Sequence, residues 1–127
     1  MQFIQERFYE PGIKVFVYYN LHRHLFSVRA LQGTFKGKVI AHAKEVFLTD
    51  CTFKVSEKGR QRVLSEKQKN VHAGVSGILS FTPPAEKTFQ KEITYNPYCY
   101  SQFVVKENEE PIFVAKEVYL CDKKVFV

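Results

Sequence analysis

Val39-Ile40-Ala41-His42-Ala43-Lys44-Glu45-Val46-Phe47-Leu48-Thr49-Asp50 returns later in the chain as Pro111-Ile112-Phe113-Val114-Ala115-Lys116-Glu117-Val118-Tyr119-Leu120-Cys121-Asp122. The two stretches share an isoleucine, the run Ala-Lys-Glu-Val, an aromatic residue, a leucine and the closing aspartate. The echo extends outward on both sides. Tyr19-Asn20 and Val28 are mirrored by Tyr95-Asn96 and Val104, and Val55 by Val127. The pattern predicts two copies of one unit, over 19–55 and 95–127. A solenoid needs about three repeats to bury a continuous core, so two copies imply a pseudo-twofold pair inside one domain.

Each copy reads as β-structure. Residues 13–19, 25–31 and 38–43 are rich in β-branched and aromatic side chains with partial period-two alternation, and Asn20, Gly33 and Gly37 punctuate them. That is an antiparallel meander, to which 45–50 and 52–55 add a further strand or a bent pair. In the second copy 101–105, 118–120 and 124–127 repeat the scheme around a turn at 107–111. Between the copies lies one helix, about 56–69. Ser56 is its N-cap, Glu57 sits in its first turn, Lys67 and Lys69 favour its C-terminus, and Asn70 stops it. A strand follows over 71–81, in which Gly74 and Gly77 mark bulges or close backbone approaches. The run 82–88, with Pro83-Pro84, reads as a linker. The expected architecture is α+β: one sheet-rich domain of two pseudo-repeated antiparallel β-meanders and a central helix.

The size and composition agree. The 127 residues hold 45% hydrophobic and 25% charged residues, with 12 Phe and 7 Tyr, enough apolar surface to fold as one domain and far from a disordered composition. No apolar run reaches the roughly 18 residues of a spanning helix, and the first residues lack the pattern of a signal peptide. The expectation is a soluble, intracellular protein without a membrane role. Cys51, Cys99 and Cys121 are an odd number with no C-x-x-C spacing, which argues against a zinc ribbon or disulfide framework and for small buried hydrophobes.

The net charge is +6, from 19 Lys and Arg against 13 Asp and Glu. The excess is concentrated over 54–69, where Lys54, Lys58, Arg60, Arg62, Lys67 and Lys69 face Glu57 and Glu66. Such a region attracts phosphates, nucleotides, nucleic acid or an acidic protein. At about 100° per residue, Arg60 and Lys67 fall beside the apolar Val63 and Leu64, whereas Lys58, Arg62 and Lys69 share the opposite face. The inward pair needs partners, because an unpaired buried charge is costly. Glu45, Asp50, a carbonyl or a bound anion would serve.

Asn20-Leu21-His22 and Asn70-Val71-His72 repeat an Asn-x-His spacing, which puts amide and imidazole on one side of an extended segment. Beside Arg60 and Lys67, such elements suit recognition of a phosphate or a nucleobase edge. The plainer alternative is that the asparagines shape turns and the histidines bond nearby backbone. His22 and His24 are spaced to chelate a metal, but no third ligand completes a set, so no metal and no cofactor are expected. The sequence lacks a phosphate-binding glycine loop, G-x-S-x-G and H-E-x-x-H. Catalysis, for example acid–base work on a phosphodiester by histidines near cations, is the minor reading.

The runs Tyr19-Asn20-Leu21-His22, Phe26-Ser27-Val28, Val39-Ile40-Ala41-His42, 53–64, Lys69-Asn70-Val71-His72-Ala73 and Tyr95-Asn96-Pro97-Tyr98 resemble a family of small accessory proteins of bacteriophages and prophages. The resemblance covers nearly the whole chain. It implies a phage product and carries over no catalytic residue. With the residues, it yields the expectation of a non-enzymatic binding protein that engages an anionic ligand such as a signalling nucleotide, in a counter-defence role, through Asn20, His22, Arg60, Lys67, Asn70 and His72. A second expectation is nucleic-acid binding through Lys58, Arg62 and Lys69, with tyrosines stacking on bases. A third is inhibition of a host protein through a sheet edge, which also permits a homodimer.

Overall fold

The computed structural model describes residues 3–5, 12–68, 70–80 and 91–127. Ten strands and one helix follow in chain order: β1 (Phe3–Gln5), β2 (Lys14–Asn20), β3 (Leu25–Ala30), β4 (Val39–Ala43), β5 (Glu45–Val55), α1 (Glu57–Glu66), β6 (Ala73–Ser80), β7 (Glu92–Thr94), β8 (Val104–Val105), β9 (Val114–Cys121) and β10 (Lys124–Phe126). The strands form one sheet in the order β1-β4-β3-β2-β6-β5-β9-β10-β7-β8, antiparallel throughout. The described residues thus form a single sheet-rich domain with one short helix.

The first meander stands as expected at β2, β3 and β4. The stretch 45–55 is one strand of 11 residues, and its register against β6 shifts between Thr49 and Thr52, where Asp50 takes a left-handed φ of 50°. Asp122, its counterpart in the echo, has φ 51°. The two echoed segments lie side by side. In the β5–β9 pairing Phe47 stands opposite Tyr119, Val46 opposite Leu120 and Leu48 opposite Val118, and the Phe47 and Tyr119 rings stack at 4.5 Å and 8°. Outward from this seam come β6, β2, β3 and β4 on one side and β10, β7 and β8 on the other. The halves differ in their connections: α1 separates β5 from β6, whereas Asp122 and Lys123 alone separate β9 from β10. The second meander is also thinner than expected. Residues 101–105 contribute only Val104 and Val105, and Pro111 makes an isolated bridge to Val104. Strands β1 and β7 were not expected from the sequence.

Alternation places Val46 and Leu48 on the core face and Phe47 on the other. Val15 and Val17 of β2, Val28 of β3, Ile40 of β4, Val75 of β6, Ile93 of β7 and Leu120 of β9 join one cluster. The sheet also curls: His72, just before β6, reaches Tyr95, just after β7, although β5, β9 and β10 lie between those two strands. Full burial of side chains such as Val46 and Leu48 contributes about 1.5–3 kcal/mol each.

The helix is shorter than expected. Ser56 caps it, accepting from the Gly59 N–H at 3.2 Å, but it stops at Lys67, not Asn70. Lys67 has φ 57° and donates its N–H to Val63 O, the left-handed reversal that closes a helix. Strand β6 begins at Ala73, so Val71 and His72 precede it. Gly74 and Gly77 do mark close approaches: a Cβ at Gly74 would strike Val17 O and the Phe16 ring, and one at Gly77 would lie 2.9 Å from Thr49 O. The expected linker 82–88 and residue 81 lie outside the described residues. Cys51 is buried as expected, but Cys99 is exposed and Cys121 half-buried, because the 97–99 turn carries Cys99 outward.

Candidate functional site

The curl leaves a cavity of about 630 Å³ where the end of β2 and the approach to β6 meet the end of β7 and the β9–β10 turn. Asn20, His22, Asn70 and His72 all line it. The two Asn-x-His elements therefore do converge. Their asparagines are used locally. Asn20 Oδ1 accepts from the N–H groups of His22 (3.0 Å) and Arg23 (3.2 Å), and Asn20 Nδ2 donates to Ser27 Oγ at 3.1 Å. Ser27 and His42 are buried and meet through Oγ and Nδ1 at 2.9 Å, so a polar chain runs from the cavity wall into the core.

Asn70 does the equivalent work for His72. The His72 Nδ1 lies 3.1 Å from both Asn70 O and Asn70 Oδ1, two acceptors, which assigns its proton to Nδ1. His72 Nε2 then accepts from the Tyr95 hydroxyl at 2.7 Å. Burial pushes the Tyr95 hydroxyl above its ordinary pKa, against the pull of the Arg60 charge. Helix α1 holds this segment in place. Ser56 N–H donates to His72 O at 2.7 Å, Asn70 Nδ2 donates to Gly59 O at 3.3 Å, and a Cβ on Gly59 would collide with His72 Cβ.

The expected cationic pair is corrected here. Arg60 does turn inward, with 18% of its side chain exposed, and finds carbonyl partners as expected, but it pairs with neither Glu45 nor Asp50 and does not line the cavity. Its Nε is shared between Pro97 O (3.0 Å) and Tyr100 O (2.8 Å), and its Nη1 bonds Glu57 Oε1 at 3.1 Å. Lys67 is exposed, because the left-handed closure takes it off the helical wheel, and it does not line the cavity. On the outer face Lys58 and Arg62 are exposed as expected, with Arg62 Nε 3.8 Å from Glu66; Lys69 lies outside the described residues.

The cations that line the cavity are Lys123 and Lys124. Lys123 Nζ sits 5.7 Å from the centroid of the Tyr19 ring, within cation–π range. Lys124 Nζ is 3.9 Å from Glu92, whose carboxylate also binds Lys106 at 3.2 Å. Tyr19, Phe26, Tyr95 and Phe103 supply aromatic walls. Tyr95 is visible in the sequence as the echo of Tyr19, whereas nothing local in the sequence brings the lysine turn to Tyr19.

Fold and cavity define a single-domain, sheet-rich protein with a ligand-sized, aromatic and cation-bearing cleft, and no described helix is long and apolar enough to cross a membrane. Residues 9–127 match the model of the family described as Mycobacterium phage L5 gene 82 protein. The chain belongs to that family. It is 41% identical to the "Gene 82 protein" of Mycobacterium phage L5 over 119 residues, which cover 89% of this chain and 94% of the phage protein. The expected kinship with small bacteriophage proteins is thereby met. No solved structure matches the chain.

Proposed function

We propose that this phage protein is a non-enzymatic binding protein whose cavity takes an anionic, ring-bearing ligand of nucleotide type, and that it acts in the host cytoplasm by withholding such a molecule from the host. What supports the reading is the convergence of Asn20-x-His22 and Asn70-x-His72 on one cavity that also carries Lys123, Lys124 and the rings of Tyr19, Phe26, Tyr95 and Phe103. Lysine ammonium groups suit phosphate, and aromatic faces suit bases. A cavity of about 630 Å³ falls within the range of small-ligand pockets. We read the matched registers on either side of the β5–β9 seam as two diverged copies of one unit.

Titration calorimetry of the chain against nucleoside mono- and triphosphates and cyclic nucleotides tests the proposal. Saturable binding that weakens at least tenfold in Lys123→Ala and is unchanged in Arg62→Ala supports it. Absence of binding across the panel, or equal loss in both variants, overturns it.

A further inference from the structure

The cavity walls come in matched pairs. Tyr19 meets Phe26 edge to face, with ring centroids 5.3 Å apart and 82° between the planes, and Tyr95 meets Phe103 at the same 5.3 Å but tilted at 38°. Each tyrosine leads into the same kind of turn. Asn20 O accepts from His24 N and Asn96 O from Tyr100 N, both at 2.8 Å, while Asn20 Oδ1 and Asn96 Oδ1 each accept from the N–H two residues on, at 3.0 and 2.9 Å. Each tyrosine is met by a nitrogen-bearing side chain from the opposite half: His72 Nε2 at the Tyr95 hydroxyl, Lys123 Nζ over the Tyr19 ring. The strands beneath repeat the relationship, with Val17 opposite Val75 and Ile93 opposite Val125. The pairing at the seam, Phe47 opposite Tyr119, belongs to the same set.

A site built of paired elements is complementary to a ligand built of paired elements. Two Tyr–Phe walls offer two faces for planar rings, and Lys123 and Lys124 offer ammonium donors to two anionic groups. A mononucleotide has one ring system and one phosphate cluster, so it would engage half of these. A ligand with two bases and two phosphates related by a twofold axis would engage all of them. We propose that the cavity is a cyclic dinucleotide site, with one base against the Tyr19–Phe26 wall and the other against the Tyr95–Phe103 wall, with Lys123 and Lys124 directed at the phosphates and with His72 holding the Tyr95 hydroxyl. The proposal rests on the nucleotide reading above and names its ligand class.

The site is a near-match of halves rather than a copy. Lys123 stands two residues before Val125 and His72 three before Val75, and one side chain sets an ammonium over a ring where the other sets an imidazole acceptor at a hydroxyl. A cyclic dinucleotide with two different bases is therefore as compatible with the walls as one with identical bases.

The test is calorimetry of the unmodified chain with cyclic di-AMP, cyclic di-GMP and cyclic GMP-AMP, each beside AMP and GMP. The expected result is one cyclic dinucleotide per chain, bound at least a hundredfold tighter than either mononucleotide. Tyr19→Leu and Tyr95→Leu, which keep apolar bulk, should each weaken it about tenfold, as loss of one stacked base predicts. Stoichiometry and the cyclic-to-mononucleotide ratio are read on the unmodified chain, so they do not depend on how the variants fold. A mononucleotide bound one per chain as tightly as any cyclic dinucleotide overturns this proposal and leaves the nucleotide reading standing, as does loss of binding in one tyrosine variant with none in the other. No binding by any of the five compounds overturns the cyclic dinucleotide proposal, and with the panel of the preceding section also silent, both fall.

Discussion

The Tyr95 hydroxyl and His72 Nε2 meet at 2.7 Å across the cavity, and their rings stand edge to face at 5.4 Å, tying the approach to β6 to the end of β7. These segments are separated in the sheet by β5, β9 and β10, so the contact closes the curl and shapes the site at once. Tyr95→Phe keeps the ring and removes the hydroxyl. The expected cost is about 1 kcal/mol, the ordinary net value of one hydrogen bond, read from urea denaturation. No change in the midpoint would show that the curl does not lean on this bond.

Alkaline pH probes the tyrosines together. Burial raises Tyr95, the hydrogen bond to Glu109 leads the rise of Tyr100, and Tyr119 is raised by its hydrogen bond with Cys121, by burial and by its bond to Glu45. For an acid whose folded pKa lies above its unfolded value, the neutral form favours the fold. The stabilisation is therefore complete below about pH 10, the ordinary tyrosine value, and is lost as pH rises through the higher folded value. Denaturation midpoints measured from pH 8 upward should hold and then fall above about pH 10, and Tyr119→Phe should make that fall shallower. An identical slope in the variant would refute the linkage.

Gly59 sets two effects against each other. In an exposed helix, Gly→Ala is worth about 1 kcal/mol of added stability. Here the new methyl would run into His72 Cβ, and overpacking of this kind costs about 1–3 kcal/mol. The clash should win, so Gly59→Ala should lower stability by about 1 kcal/mol and displace His72. Histidine side-chain NMR shifts and a denaturation curve check both effects.

Arg60 and Lys67 should separate sharply on truncation. Arg60→Ala leaves Pro97 O and Tyr100 O without their shared donor and unties α1 from the 97–100 turn, an expected loss of about 1–3 kcal/mol after allowance for its partial exposure. Lys67→Ala should stay within about 0.5 kcal/mol, as surface changes do. Equal effects in thermal melts would mean that the inward and outward assignments are wrong.

These residues also show what a linear sequence can disclose. The Asn-x-His pairs were legible because each is a short-range geometry: an asparagine that bonds the backbone or ring two residues on behaves alike wherever it stands. Arg60 was legible as inward because it lies mid-helix, where the wheel holds. Lys67 was not, because one left-handed residue ends the helix and turns the side chain away. The partners of Arg60 come from a turn far along the chain and are carbonyls, which every residue has and no sequence pattern marks. Lys123 and Lys124 read as an ordinary turn, and only the curl of the sheet brings them to Tyr19. The echo of 39–50 in 111–122 was visible as text, but that its two copies would pair with each other, Phe47 against Tyr119, depended on the strand order.

The β9–β10 turn allows stability and binding to be pulled apart. Asp122 and Lys123 have φ of 51° and 67°, so this two-residue connection holds two consecutive non-glycine residues in the left-handed region, as a type I′ hairpin turn requires. For a lysine that conformation costs about 1–2 kcal/mol; glycine adopts it freely. Lys123→Ala keeps the strain and loses the contact with the Tyr19 ring, worth about 0.5–1 kcal/mol, so stability should fall by about that amount. Lys123→Gly loses the same contact but relieves the strain, so its stability should stay within about 0.5 kcal/mol of the original or rise slightly. Both remove the ammonium from the cavity, and both should weaken nucleotide binding by a similar factor of about ten. If affinity instead tracked stability, with glycine binding like the unmodified chain, the role of Lys123 would be to shape the turn, and its charge would have no part in holding the ligand.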